Sequence, residues 1–346
     1  MMKAYHENRP SNWARLGGAV TSEWLAQAEA AVAEQTSLPS SGSSPFFSVI
    51  QEFNVWRSKP DLAEAVAAIK ALTAAIQRSE ATTMMGLEKD LKIASDALKA
   101  WDPTSISLSA GCDLFMCYVT RTSALEYEDI EVGKARLIER GEQIGDISLK
   151  ARKTIAMLGQ DFIRDGSTIL THGFSRVVLS ILKLAAANKK HFSVVCTEGR
   201  PDSTGLQMAK EMVAIGVPIT LIIDSAVAYT MESVDMLLVG ADGVVESGGI
   251  INMIGTYQAA MVARSMNKPV YVAAESYKFA RMYPLDQKAM FPSSRQVDFH
   301  YPLPSAVQVE FSSRDYTPPQ YLTLLFTDLG VFTPSAVSDE LIQLYL

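Results

Sequence analysis

The feature that most constrains this chain is a change of hydrophobic period at Asp165-Gly166. Beyond it, short apolar runs recur at 168–171, 192–196, 219–223, 236–239, 270–274 and 322–327. Helical stretches such as 176–188 and 203–215 lie between most of them. Runs this short read as strands, and their alternation with helices is the pattern of βαβ units on a parallel sheet. The second half is therefore expected to be Rossmann-like, with a mostly parallel sheet.

Ahead of that point, from Phe46 to about Asp165, the texture is helical. Leu62, Ala65, Val66, Ile69, Leu72 and Ile76 recur at three- and four-residue steps, with Pro60 and Asp61 in the expected first turn. Further helices are expected over 84–101, 109–125 and 129–164, the last joining the two halves. Residues 21–35 suit a short amphipathic helix, and Ser37-Leu-Pro-Ser-Ser-Gly-Ser-Ser-Pro45 suits a flexible linker. The expected organisation is α/β: a variable extension over 1–45, an N-terminal helical domain over 46–165, and a Rossmann-like domain over 166–346. The proline-rich stretch 277–319 reads as a long surface excursion, and 333–346 as a closing helix started by Pro334.

Charge and cysteine usage exclude several classes. A net charge of −7 argues against a protein built to grip nucleic acid. Three cysteines, Cys112, Cys117 and Cys196, are too few and too irregular for a disulfide frame or a zinc site. They read as reduced, buried thiols. No segment has the length of a membrane-spanning helix, and the first residues lack a signal-peptide core. Cytoplasm is the expected compartment, with no metal and no membrane partner.

Four loops at the expected strand ends carry the chemistry. The passage Gly240-Ala-Asp-Gly-Val-Val-Glu-Ser-Gly-Gly-Ile-Ile-Asn-Met-Ile-Gly-Thr256 reads as a strand, a glycine-rich turn and a helix start. That arrangement aims backbone N–H groups at an anion, with Asp242 at the strand end and Asn252, Gly255 and Thr256 nearby. Its glycine spacing is not that of a dinucleotide site. In Thr171-His-Gly-Phe-Ser-Arg176, the groups of His172, Ser175 and Arg176 suit a phosphate. Residues 197–205 contribute Arg200, and Asp224 follows the next strand. Singly, each has a structural reading: Asp224 and Asp242 as helix caps, Arg176 as a surface charge. Ser175 is not in a nucleophile elbow. Together the loops outline a phosphate-sized pocket.

These residues resemble a known family. Gly240-Ala-Asp-Gly243, Asn252-x-Ile-Gly-Thr256 and Pro269-Val-Tyr-Val-Ala-Ala-Glu-Ser276 are similar to the regulatory subunits of translation initiation factor 2B and their sugar-phosphate isomerase relatives. The resemblance runs from about Pro60 to the C-terminus. It is closest to the alpha branch in 65–69, 138–141, 169–178, 244–252, Leu324-Leu-Phe-Thr-Asp-Leu-Gly-Val331 and Thr333-Pro-Ser-Ala-Val-Ser-Asp-Glu-Leu-Ile342. It implies a non-catalytic regulatory subunit of the guanine nucleotide exchange factor for initiation factor 2. Such a subunit forms a homodimer that bridges the beta, gamma, delta and epsilon subunits and helps sense the phosphorylated alpha subunit of initiation factor 2. It requires no cofactor.

The isomerase alternative implied by the same resemblance turns on particular positions. Those enzymes carry Thr-His-Cys, whose thiol transfers the proton, where this chain has Thr171-His172-Gly173. Their Asn-Lys-Ile-Gly-Thr is here Asn252-Met253-Ile-Gly-Thr256, and their Arg-Pro-Thr-Ala arm is Leu108-Ser-Ala-Gly111. Losing a positioned acid or base removes about two to four orders of magnitude in rate. Asp242 and Arg200-Pro201 are kept, so the resemblance implies a pocket that holds a sugar phosphate, a nucleotide monophosphate or a phosphate or sulfate ion without turnover. It further implies partner contacts at Thr83, which also reads as a helix N-cap, and at Tyr345, which also reads as core packing. Arg78 and Lys89 flank Thr83.

Overall fold

The computed structural model describes residues 48–59, 62–123, 129–289, 303–304, 306–309 and 312–345, the side chains of 342–345 excepted. The helix expected over 21–35, the linker 37–45, and Pro60 and Asp61 lie outside the described residues. Among the described residues, five helices come first: α1 Val49–Arg57, α2 Glu64–Arg78, α3 Met84–Trp101, α4 Ile106–Ser123 and α5 Ile130–Gln160. The second starts at Glu64, later than the Pro60-Asp61 start expected from the sequence.

Alanine explains why α2 is central. It is rich in Ala and closes with few large side chains, so it forms readily and lets neighbours approach on several sides. Ala65, Val66, Ala67, Ala68, Ile69, Ala71, Leu72 and Ile76 are all buried, and α1, α3, α4 and α5 pack on it. Two crossings require glycine on the neighbour. A Cβ on Gly111 of α4 would stand 2.7 Å from the Ala65 Cα, and one on Gly141 of α5 would overlap the Thr73 side chain.

Helix α5 ties the two halves together. Its buried residues, among them Leu137, Gly141, Ile144, Ser148, Ala151, Ile155 and Gly159, recur at three- and four-residue steps along one face. At a rise of about 1.5 Å per residue that face is long enough to serve two partners. It packs on α2 and also on α6 Arg176–Ala187 and the sheet.

Among the described residues, the main sheet has seven strands: β1 Ser167–His172, β2 Phe192–Thr197, β3 Ile219–Ile222, β4 Met236–Gly240, β7 Val270–Ala273, β10 Leu324–Thr327 and β11 Gly330–Phe332. Their order is β11-β10-β7-β4-β1-β2-β3, and every pair is parallel except β10 with β11. The chain moves outward from β1 through β2 to β3, then returns to lay β4 on the other side of β1. This reversal opens a crevice beyond the ends of β1 and β4, where ligands bind in open α/β sheets. The connecting helices after α6 are α7 Gly205–Ala214, the short α8 Val227–Met231 and α9 Thr256–Ser265; α10 Pro334–Tyr345 ends the described chain.

A second sheet corrects two sequence expectations. The glycine-rich passage is a hairpin, β5 Gly243–Val245 against β6 Ile250–Met253, rather than a bare turn. The stretch expected to be a surface excursion supplies both outer strands, β8 Phe279–Ala280 and β9 Arg314–Thr317, in the order β8-β5-β6-β9. Tyr277, Phe279, Ala280 and Tyr316 are buried there, and Ile106 and Ala110 of α4 pack on this sheet. Hydrophobic period misses it because the strands are short and their partners distant in sequence.

The glycine crossings give opposite expectations at two positions of the helical region. Gly111→Ala is expected to lose about 1–3 kcal/mol, because the new methyl meets backbone that cannot retreat. Gly145→Ala on α5, whose Cβ would meet only the Lys70 Cε at 3.9 Å, is expected to gain up to about 1 kcal/mol from helix propensity. Urea unfolding of both variants checks the signs.

Candidate functional site

The crevice at the β1/β4 reversal is a cleft of about 400 Å³. His172, Ser175, Arg176, Asp242 and Asn252, all picked out by sequence, line it together with Asp202, Thr204, Met253, Glu275, Lys278 and Arg314. Arg200, Gly255 and Thr256 do not. Arg200 is exposed, and its backbone N–H donates to Asp224 Oδ2 at 2.8 Å. Gly199 N–H donates to the other Asp224 oxygen at 2.9 Å, so this carboxylate braces the loop after β2. A larger cavity, about 640 Å³, lies at the opposite end of the sheet around Gly166, Asp235 and Pro269. That end has no loop reversal to place side chains together.

His172 is spent on structure. Its Nε2 lies 2.7 Å from the Ile254 carbonyl, which can only accept, so Nε2 carries the proton. Nδ1 then accepts from the Thr197 hydroxyl at 2.6 Å. Desolvation lowers the imidazole pKa, against the opposing pull of the Ile254 carbonyl and Asp224. A neutral ring with both nitrogens engaged holds the end of β1 to the loop before α9; it supplies no positive charge to a phosphate.

The anion-binding end of α9 is already filled. Asp315, on β9, accepts from Gly255 N–H at 2.7 Å and from Tyr257 N–H at 2.9 Å. These are the donors the sequence reading aimed at an outside anion, so that expectation is corrected: the protein's own carboxylate occupies the place. Thr256 is buried, donating to the Met253 carbonyl at 2.7 Å and accepting from Asn252 Nδ2 at 3.0 Å. Burial raises the Asp315 pKa to about 7 despite the two N–H bonds and Arg314, and its Oδ1 is buried without a hydrogen bond.

The remaining polar side chains are paired across the cleft. Asp242 Oδ2 is 2.5 Å from Arg314 Nε. Ser175 caps α6 by accepting from Val178 N–H, and Arg176 donates from Nη1 to the Leu62 carbonyl at 2.5 Å, just before α2. Arg176 is therefore a half-buried bridge rather than a surface charge. Glu275, after β7, faces Lys278 at 3.1 Å and Arg152 of α5 at 3.2 Å. Sequence reasoning missed Glu275, Lys278, Arg314 and Asp315. The strand-end rule that selected Asp242 would also have selected Glu275, whereas the residues from the excursion left no local signal.

Gly173 has φ +60, and a Cβ there would overlap the Met253 methyl and stand 2.6 Å from Thr204 Oγ1. Cys196 is buried beside this loop, with its Sγ 3.5 Å from the Gly173 carbonyl, and burial pushes its thiol up to about 12. No thiolate forms there at neutral pH. Thr83 and Tyr345 are the two positions expected at partner contacts. Thr83 is exposed and caps α3 by accepting from Gly86 N–H at 3.1 Å. Tyr345 closes α10, and its side chain lies outside the described residues. Among the described residues, no group of three or more His, Cys, Asp and Glu is placed to hold a metal, and no helix is long and apolar enough to cross a membrane.

Residues 57–334 match the model of the Initiation factor 2 subunit family. Translation initiation factor eIF2B subunit alpha of Dictyostelium discoideum is 45% identical over 301 residues, spanning 84% of this chain and 94% of that protein. Ribose 1,5-bisphosphate isomerase of Archaeoglobus fulgidus is 32% identical over 249 residues, 71% of this chain and 77% of that protein. In fold, the chain is similar to one in the crystal structure of the tetrameric eIF2B-beta2-delta2 complex from C. thermophilum. The TM-score is 0.72 at 20% identity, over 86% of this chain and 94% of that one.

Asp315 gives a pH expectation with a definite sign. A carboxyl whose pKa is raised on folding lends stability that is complete below its unfolded value and lost as pH rises through the folded one. The unfolding free energy of Asp315→Asn relative to the parent is therefore expected to rise by about 1.4 kcal/mol per pH unit between about pH 4 and 7. Denaturant melts across that window check it; a difference independent of pH would mean the carboxylate is well solvated.

Proposed function

The chain belongs to the Initiation factor 2 subunit family, and from that premise we propose that it is a non-catalytic, alpha-type regulatory subunit of the exchange factor that serves initiation factor 2. The observation that carries the non-catalytic part is the floor of the cleft. The place where the resembled isomerases hold a proton-transferring thiol is a left-handed glycine whose Cβ space is taken by Met253 and Thr204. The position thus leaves no room for a thiol as these neighbours stand. Asp242, the acid those enzymes are expected to use, is held by Arg314 instead of standing free.

The subunit acts in the cytoplasm as a homodimer that bridges the other exchange-factor subunits and helps sense the phosphorylated alpha subunit of initiation factor 2. Support for self-association comes from the outer edge of the main sheet, where Val213, Leu221, Ile223 and Tyr229 are exposed, Tyr229 to 90%. The cleft holds a phosphate ester without turning it over, with Arg176 and Lys278 as its cations. The rival reading, an active aldose–ketose isomerase, draws on the similarity to the archaeal enzyme and on the retained Asp242.

Three expected outcomes test this. Purified protein gives no interconversion of ribose 1,5-bisphosphate above background, and Gly173→Cys gains none while losing about 1–3 kcal/mol of stability; turnover at an enzyme-like rate by the parent would establish the isomerase. Light scattering after size exclusion finds a dimer that enters a larger complex when the beta and delta subunits are added, and a dimer indifferent to them refutes the bridging role. At Thr83 the cap and the partner contact separate, because Thr83→Asn keeps a capping oxygen. That variant is expected to melt as the parent does, yet to bind phosphorylated initiation factor 2 several-fold more weakly with unphosphorylated binding unchanged.

A further inference from the structure

The larger cavity, about 640 Å³ at the end of the sheet opposite the cleft, carries a chemistry of its own. No loop reversal builds it; the turn after α5 and the starts of the neighbouring strands β1, β4 and β7 surround it. Phe162 and Tyr271 give it an aromatic wall. Their ring centroids lie 5.3 Å apart, edge to face, and Phe326 backs them at 4.7 and 5.3 Å. Around the same space stand one guanidinium, Arg164, and three carboxylates, Asp161, Asp165 and Asp235.

These charges are held in place without being paired. Asp165 Oδ1 accepts from His191 N–H at 2.7 Å, and Asp235 Oδ2 accepts from Thr168 N–H at 2.7 Å. Each carboxylate is thus oriented through one oxygen and keeps the other. The turn that carries Arg164 is pinned as well: its carbonyl accepts from the N–H of Ser167 at 3.2 Å and from the Ser167 hydroxyl, and Gly166 N–H donates to the His191 carbonyl at 2.6 Å. Among the described residues, Arg164 forms no ion pair with any of the three carboxylates, and no group of three acids is placed to hold a metal. Opposite charges that share a cavity and do not meet are spaced for a ligand that bears both.

We propose that this cavity binds a zwitterionic α-amino acid with an apolar side chain. Its carboxylate meets Arg164, its ammonium meets the carboxylate oxygens that Asp165 and Asp235 keep, and its side chain lies on Phe162 and Tyr271. Charge-assisted bonds at both ends fix the orientation, and the volume falls within the range of about 300–1,000 Å³ common for small-ligand pockets. A site built this way rejects an analogue that lacks either charge, because the group left unmatched loses water without gaining a partner. The cleft is at the other end of the sheet, so the phosphate-ester reading stands or falls separately.

Calorimetric titration of the full chain with L-phenylalanine and L-leucine tests this, against the matching amines and acids that lack one charge (phenethylamine, hydrocinnamate, isoamylamine and isocaproate). At least one amino acid is expected to bind, with its two analogues about tenfold or more weaker. Arg164→Gln is expected to weaken the amino acid about tenfold and to narrow its advantage over the amine. Asp235→Asn, which keeps an oxygen for Thr168 N–H, is expected to narrow the advantage over the acid. Both positions are exposed, so both variants are expected to melt as the parent does. No binding of either amino acid overturns the proposal, as does binding that the singly charged analogues match or that both variants leave unchanged.

Discussion

Glu275 is nearly inaccessible to water, yet its carboxylate remains charged. Desolvation alone would raise its pKa, but Lys278 and Arg152 outweigh that effect and hold it below the usual carboxylate range. Two bonds to side chains of α5 or their neighbours, and one to the wall of the cleft, therefore depend on a single anion. Removing one partner of a buried ion cluster costs about 3–5 kcal/mol, since the survivors stay desolvated without compensation. The attachment of the helical region to the sheet thus adds a polar, directional contact to the apolar packing of Ile155, Ala156, Ile106 and Ala110. Apolar packing alone would tolerate sliding; the Glu275 cluster fixes which face of α5 meets the sheet.

That fixing matters because the cleft is defined by topology before it is defined by chemistry. Once the chain returns from β3 to place β4 beside β1, the loops after both strands must diverge, and a crevice follows whatever their sequence. Much of this was legible in the amino-acid order. The six apolar runs, the helices between them and the long joining helix all stand close to where period and length place them. His172 ends β1, Ser175 and Arg176 follow it, Asp242 follows β4, and Asn252 sits on β6 of the hairpin after β4, so all five meet in the crevice. The second sheet was not legible, since β8 and β9 are two and four residues long and pair with a hairpin tens of residues away. Arg314 and Asp315, its contribution to the site, were hidden for the same reason.

Being brought together is not the same as being available. The sequence places an imidazole, a helix N-terminus and an acid where a phosphate ester could use them, and the structure shows each engaged by another protein group. Thr197 and Ile254 take His172, Asp315 takes the end of α9, and Arg314 takes Asp242. Local spacing cannot reveal this, because the competing partners lie from 25 to 82 residues away.

The Gly173 floor bears on how such a cleft could lose or regain chemistry. A glycine at φ +60 with its Cβ space occupied cannot be read as one substitution awaiting reversal, because a side chain there meets Met253 and Thr204 and a backbone region that disfavours any Cβ. Restoring a thiol would require Met253 to withdraw, and Met253 is a residue of β6 in the hairpin that also presents Asn252 and leads to the Asp315-capped helix. Catalytic competence in this architecture therefore depends on the packing of the second sheet as much as on any reacting group. On the non-catalytic reading proposed above, that packing closes over the thiol position and leaves the cations at the other end of the cleft. Those cations also hold the helical region, so the part of the cleft that stays charged is the part the fold itself still needs.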